Sequence, residues 1–263
     1  GVFENIASKS GLDKEKGWWF NVTETDINND GYKDYLLGNV GKNIKFKVSV
    51  DKPLRVYAAD FDANGTNDLV LSYKYNDVFV PARGRECTSQ QMPFIAEKIP
   101  TFNEFANASL QDIYGESLNT AYNREANQFS SMILINNRDD TFKKVKLPML
   151  AQTMPILDAA ILDYNNDGFE DLYITGGMQE DQLLENLQNG TFKNILKTAR
   201  LESVLRFVTQ GVAAADFNRD GWMDLFVTTI TTKSQKRKIP RAQNLIFINQ
   251  GDGTFKNKSK SFG

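Results

Sequence analysis

The sequence predicts an all-β fold, a β-propeller of about four recognisable blades with a helical insertion, and three observations predict it. Four nine-residue segments share one Asp-rich template. Each is flanked on both sides by short β-prone runs, and a second, turn-centred signature follows at a distance. A composition that is 41% hydrophobic and 24% charged can build a sizeable core and excludes wholesale disorder.

In chain order, the first template is Asp26-Ile-Asn28-Asn-Asp30-Gly31-Tyr32-Lys-Asp34, set between Phe20-Asn-Val-Thr and Tyr35-Leu-Leu. The second, Asp60-Phe-Asp62-Ala-Asn64-Gly65-Thr66-Asn-Asp68, lies between Val56-Tyr-Ala-Ala and Leu69-Val-Leu. The third, Asp163-Tyr-Asn165-Asn-Asp167-Gly168-Phe169-Glu-Asp171, lies between Ala159-Ala-Ile-Leu and Leu172-Tyr-Ile. The fourth, Asp216-Phe-Asn218-Arg-Asp220-Gly221-Trp222-Met-Asp224, lies between Val212-Ala-Ala-Ala and Leu225-Phe-Val. All four read as strand, acidic loop, strand. The second signature begins at Ile133-Leu-Ile-Asn136, at Leu184-Glu-Asn186 and at Ile246-Phe-Ile-Asn249. Each is followed by a tight polar turn and a strand opening with Phe142, Phe192 or Phe255. Gly1-Val2-Phe3 reads as the tail of one more such turn, which suggests a processed chain or a fragment whose leader has been removed.

The loops start at residues 26, 60, 163 and 216. A four-stranded blade takes roughly 40–50 residues, so the first interval reads as a compact blade and the second must hold an insertion. We place that insertion at 80–128, within a repeat domain covering 1–263. There β-alternation is lost, Pro93, Phe94, Ile95, Ile99, Phe102 and Phe105 give an apolar stripe, and Thr101 and Ser109 are candidate N-caps. These aromatics are read as packing the insertion onto the blades rather than lining a ligand pocket.

The chain has no histidine, which excludes Ser-His-Asp and Cys-His catalysis and His-ligated zinc. Its one cysteine, Cys87, rules out an intrachain disulfide and is expected to be a small buried apolar residue. No apolar run is long enough to span a membrane.

The Asp-rich loops suit calcium, a hard ion that takes six to eight oxygens from carboxylates, amides and carbonyls. Positions 1, 3 and 5 (Asp26, Asn28, Asp30; Asp60, Asp62, Asn64; Asp163, Asn165, Asp167; Asp216, Asn218, Asp220) present alternate side chains inward. The glycine at position 6 allows the sharp turn. Tyr32, Thr66, Phe169 and Trp222 offer carbonyls at position 7 with side chains outward, and Asp34, Asp68, Asp171 and Asp224 close each cage. Each loop holds three carboxylates, which repel one another without a cation. An EF-hand is excluded, because position 12 is Leu37, Leu71, Ile174 or Val227 rather than a bidentate Glu. The competing reading is that Asp, Asn and Gly simply make Asx-type turns; four copies favour about four Ca2+ sites. Four bound ions would turn the formal charge of −2 into +6.

At this point the sequence resembles the FG-GAP/VCBS repeats, the blades of integrin-α-type calcium-binding propellers, whose metal motif the loops at Asp26, Asp60, Asp163 and Asp216 match position by position. Gly17-Trp18-Trp19 and Gly38-Asn39-Val-Gly41-Lys-Asn43, together with the helical insertion, look like VCBS repeat-containing proteins of the Bacteroidetes exported type. The resemblance implies an exported chain at the cell surface, outer membrane-associated, periplasmic or extracellular. It also implies a partial propeller, since the family usually closes with seven blades.

Fold does not give function. The expectation is a non-catalytic binding or scaffold module for a protein partner, with no nucleic acid and no membrane span. The alternative is a glycan-binding propeller using Trp18, Trp19 and Trp222, or an accessory part of a polysaccharide-processing system. An enzyme is the least favoured class. Arg83, Arg85 and Glu86, beside Gln90-Gln91, form the densest polar group outside the loops, and Lys233 to Arg241 form the densest basic one.

Overall fold

The computed structural model describes residues 2–232 and 241–261. In chain order the strands are β1 (Trp19–Thr25), β2 (Asp34–Asn39), β3 (Leu54–Ala59), β4 (Asp68–Tyr75) and β5 (Val78–Pro81). Five short helices follow: α1 (Arg85–Gln91), α2 (Phe94–Lys98), α3 (Phe102–Asn107), α4 (Leu110–Tyr114) and α5 (Ser117–Thr120). Then come β6 (Tyr122–Ala126), β7 (Met132–Asn136), β8 (Phe142–Lys146) and α6 (Met149–Gln152). The chain continues with β9 (Asp158–Leu162), β10 (Asp171–Thr175), β11 (Gln182–Asn186), β12 (Phe192–Asn194), β13 (Val208–Ala215), β14 (Asp224–Ile230), β15 (Leu245–Asn249) and β16 (Phe255–Asn257). They form four four-stranded antiparallel sheets, an all-β, propeller-like fold.

Two sheets, β9 to β12 and β13 to β16, are simple meanders. The first sheet is not. Its order is β1-β2-β7-β8, so β2 pairs with a strand far along the chain: Tyr35 faces Leu134, Leu36 faces Ile133 and Leu37 faces Met132. The first repeat interval is therefore not a compact blade. The stretch after β2 provides no partner strand: Ile44 to Val50 alternates apolar and polar residues yet pairs with nothing regular. The buried run Met132-Ile-Leu takes that place.

By its contacts the chain divides into two compact units. One contains residues 18–43 and 129–263 with the N-terminal segment 1–14, and the other contains 44–128 with 15–17. In the larger unit β9 lies beside both β1 and β13. Between the first and third sheets Leu36, Ile133, Ile156, Leu172, Ile174 and Leu184 are sealed from water. Between the third and fourth, Tyr173, Leu183, Leu225, Val227, Leu245 and Phe247 are sealed in the same way. Side chains of this size each contribute about 1.5–3 kcal/mol on burial.

The smaller unit has a sheet of order β5-β4-β3-β6, with its helices on that sheet. Met92, Ile95, Phe105, Leu110, Ile113 and Tyr114 pack with Val70, and the Tyr114 ring lies 4.8 Å from Phe61. Thr101 and Ser109 cap α3 and α4 through reciprocal bonds with Glu104 and Asp112, as the Ser/Thr-x-x-acid spacing dictates. Two expectations fail here. Phe102 is 67% exposed: it is the first residue of α3, and the buried residue of that short helix is Phe105, one turn further on. Cys87 is exposed on α1, whose buried side carries Thr88.

Candidate metal loops

All four Asp loops adopt one backbone path. Position 4 (Asn29, Ala63, Asn166, Arg219) has φ of 54, 58, 54 and 63°, and the glycine at position 6 has φ of 82 to 89°. Two left-handed residues separated by one curl the loop so that its N–H groups point inward. The position-1 carboxylate collects two of them. Asp26 accepts from the N–H groups of Asp30 and Gly31 (both 2.9 Å), Asp60 from Asn64 and Gly65, Asp163 from Asp167 and Gly168, and Asp216 from Asp220 and Gly221. The position-5 oxygen accepts from the position-7 N–H in every loop, at 2.8–2.9 Å.

Position 9 links the two sequence signatures. In the larger unit one oxygen of this aspartate accepts the backbone N–H of the asparagine that ends the third strand. These bonds are Asn136 to Asp34 (2.7 Å), Asn186 to Asp171 (2.8 Å) and Asn249 to Asp224 (2.8 Å). The asparagine side chains then reach further. Asn186 Nδ2 donates to the Ile27 carbonyl of the preceding sheet's loop (2.8 Å), and Asn249 Nδ2 donates to the Tyr164 carbonyl in the same way (2.8 Å). Asn29 Nδ2 bonds the Gly168 carbonyl, and Glu170 accepts from Thr25 Oγ1 and the Asp26 N–H. Loops and sheet contacts are thus one network. The recurrence of Asn136, Asn186 and Asn249 was the signal for it, but spacing alone did not connect them to the loops.

The closing carboxylates are strained electrostatically. Burial pushes Asp171 up to about 7, and the neighbouring charges of Asp167 and Asp163 add to it. Burial likewise raises Asp34, helped by Asp30 and Asp26, and raises Asp224, helped by Asp220 and Asp216. Asp34 is fully buried and faces the Ile27 N–H, as Asp171 and Asp224 accept those of Tyr164 and Phe217. In the loop at 60–68 the carboxylates of Asp60, Asp62 and Asp68 bring oxygens within 4.8 Å of one another, the one such cluster among the described residues. An all-oxygen donor set of crowded, partly buried carboxylates fits a hard divalent cation. It does not suit zinc or copper.

The position-7 side chains do not all face outward freely. Tyr32 is exposed but lies under the Arg138 guanidinium, 4.4 Å away, and the Trp222 ring packs on Gly251. Phe169 lines a cavity of about 190 Å3 with Ile27, Ile133 and Phe192. Trp18 is 44% exposed and Trp19 half-buried. Arg85 is occupied by the Ile99 and Ala96 carbonyls at the end of α2, whereas Arg83 contacts Gln91, whose Nε2 donates to Asp68 Oδ1 (3.3 Å). Glu86 sits in the first turn of α1. Arg83 and Arg85 therefore turn to different partners. The basic cluster, apart from Arg241, lies outside the described residues.

A family model for an FG-GAP-like repeat matches residues 163–227, which takes in the third and fourth loops, β10 to β13 and the start of β14. FG-GAP repeats build integrin-like propellers that often serve as binding modules and are generally non-catalytic. No curated protein matches the chain. Among the described residues no helix is long and apolar enough to cross a membrane.

Proposed function

We propose that this chain is a calcium-stabilised, non-catalytic binding scaffold for a protein partner, exported and displayed at the cell surface or associated with the outer membrane. The observation that carries the calcium reading is the closing carboxylate. Asp34, Asp171 and Asp224 are buried next to two further acids each. About four ions would be held by positions 1, 3, 5 and 9 and the position-7 carbonyl of each loop. When bound, calcium supplies the positive charge these acids lack. The scaffold reading is supported by the repeat and by the absence of histidine from the sequence.

The test is thermal unfolding in excess Ca2+ and in EGTA, with metal analysis. Each occupied site adds roughly 3–4 kcal/mol at 100- to 1,000-fold saturation, so a large rise in Tm with about four ions per chain is expected. An unchanged Tm with no bound metal would reduce the loops to turns.

One observation favours a second reading, an acidic glycan as ligand. In the smaller unit Lys45, Lys47, Lys52 and Lys74 line a cavity of about 300 Å3 together with Phe46 and Tyr73, whose ring centroids are 5.6 Å apart, and Lys45 Nζ lies 4.8 Å from the Phe46 ring. Ammonium groups beside aromatic faces suit a carboxylated or sulfated sugar. Retention on a uronic-acid polysaccharide that is lost in Lys45→Glu/Lys47→Glu would support it. No retention in calcium buffer would remove it.

A further inference from the structure

The three loops of the larger unit differ at one equivalent position. Arg138 stands two residues after Asn136, Gln188 two after Asn186 and Gly251 two after Asn249. All three are left-handed, with φ of 68, 60 and 72°, and each donates its N–H to the preceding Asn Oδ1 at 2.8–3.0 Å. The same backbone therefore brings a different group to each loop. Arg138 places its guanidinium 3.0 Å from Asp30 Oδ2 and over the Tyr32 ring. Gln188 offers only an amide, 3.4 Å from Asp167 Oδ2. Gly251 offers no side chain, and Trp222 fills the space. That the first loop is nevertheless shaped for a cation is indicated by its backbone path, shared with the other loops, and by Asp34, fully buried beside Asp30 and Asp26.

We propose that Arg138 is a built-in counter-cation of the loop at 26–34, so that this loop binds calcium more weakly than its equivalents at 163–171 and 216–224 and fills last of the three. The inference rests on the calcium reading above. The guanidinium already occupies an oxygen of Asp30, and it repels an incoming divalent ion a few ångströms away. At protein-surface dielectric that repulsion corresponds to a change in affinity on the order of tenfold. It also keeps the first loop folded when calcium is scarce, because the charge on Asp30 stays compensated.

The experiment is calorimetric Ca2+ titration of the wild-type chain, Arg138→Gln and Arg138→Gly. Both substitutions copy residues that the same turn carries elsewhere in this chain, so the backbone accepts them. Terbium, a luminescent stand-in for calcium, assigns the sites: signal lost in Tyr32→Phe marks the first loop, and signal lost in Trp222→Phe marks the fourth. The expected result is that both Arg138 variants tighten the first loop on the order of tenfold and leave the fourth unchanged. Calcium binding with the first loop unchanged or weakened in both variants overturns the proposal alone. No calcium bound by any of the proteins overturns it together with the calcium reading.

Discussion

One nine-residue template is supported in two ways. In the larger unit the closing aspartate is clamped by a strand-end asparagine, and in two of the three loops that side chain also fastens the preceding sheet. In the smaller unit no such asparagine exists, and Asp68 takes a longer bond from Gln91 on α1. The smaller unit's loop also carries Asp62 where its relatives have asparagine, and its three carboxylates crowd together. The same loop sequence is therefore a structural joint in one place and an appendage of a helix in the other. Local pattern sets the loop's path; the strand or helix that closes it sets how much stability depends on it.

The sharpest way to break this comparison is Asn186→Ala against Gln91→Ala. The first removes a buried amide that serves two carbonyls and strands the Ile27 oxygen, at a cost of about 2–4 kcal/mol in urea unfolding; the second should cost under about 1 kcal/mol. Equal losses would mean that the two supports are equivalent.

Next in size is a pH effect confined to the larger unit. Asp171 is raised to about 7 and Asp181 to about 6, the latter by burial, although Tyr173 and Thr209 donate to it at 2.9 and 2.6 Å. A folded pKa above the ordinary 3.8 means that the protonated carboxyl is favoured on folding. That contribution is complete below about pH 4 and is lost as pH rises through about 6 for Asp181 and about 7 for Asp171. It amounts to about 3 kcal/mol for Asp181 and about 4 kcal/mol for Asp171. In EGTA, stability should fall across this window. In calcium the Asp171 part should vanish, because the ion requires the carboxylate. Asp181→Asn should flatten the Asp181 part alone, since the amide keeps the bonds from Thr209 and Gly176 and can donate to Tyr173. A flat pH profile in EGTA would contradict the burial argument.

The smallest effect separates helix from strand support. Ser109→Ala should cost about 1 kcal/mol by removing a capping box. If the helices merely decorate the smaller unit, this loss should leave calcium affinity at 60–68 unchanged; weakened binding there would tie α4 to the loop.

Much of this was legible in the sequence. The eight strands flanking the loops follow from the template, and Thr101 and Ser109 announce their own helices. What sequence spacing could not supply was the partner of β2. Ile44 to Val50 alternates like a strand, so a local hairpin looked available, yet pairing is decided by which segment can also be buried on the neighbouring sheet, and Met132-Ile-Leu can. The asparagine clamp was hidden for a related reason, since a backbone N–H carries no residue identity and only the side chain's second job favours asparagine. Cys87 was misplaced because a short helix buries so narrow a face that one position decides exposure, and Phe102 because the first residue of a short helix lies at the edge of that face.

The interrupted first sheet has a consequence for how the chain becomes a protein. β2 ends at Asn39 and its partner β7 begins at Met132, so that sheet cannot close until the whole intervening unit has been synthesised. The last two sheets are built from neighbours and have low contact order, whereas the first must close a long loop, which slows its formation. During synthesis β1 and β2 wait as an unfinished hairpin with an unpaired edge. Kinetic vulnerability should therefore lie at the N-terminal sheet, and a segment that folds early between the two halves would shorten the effective loop and act as an internal folding aid.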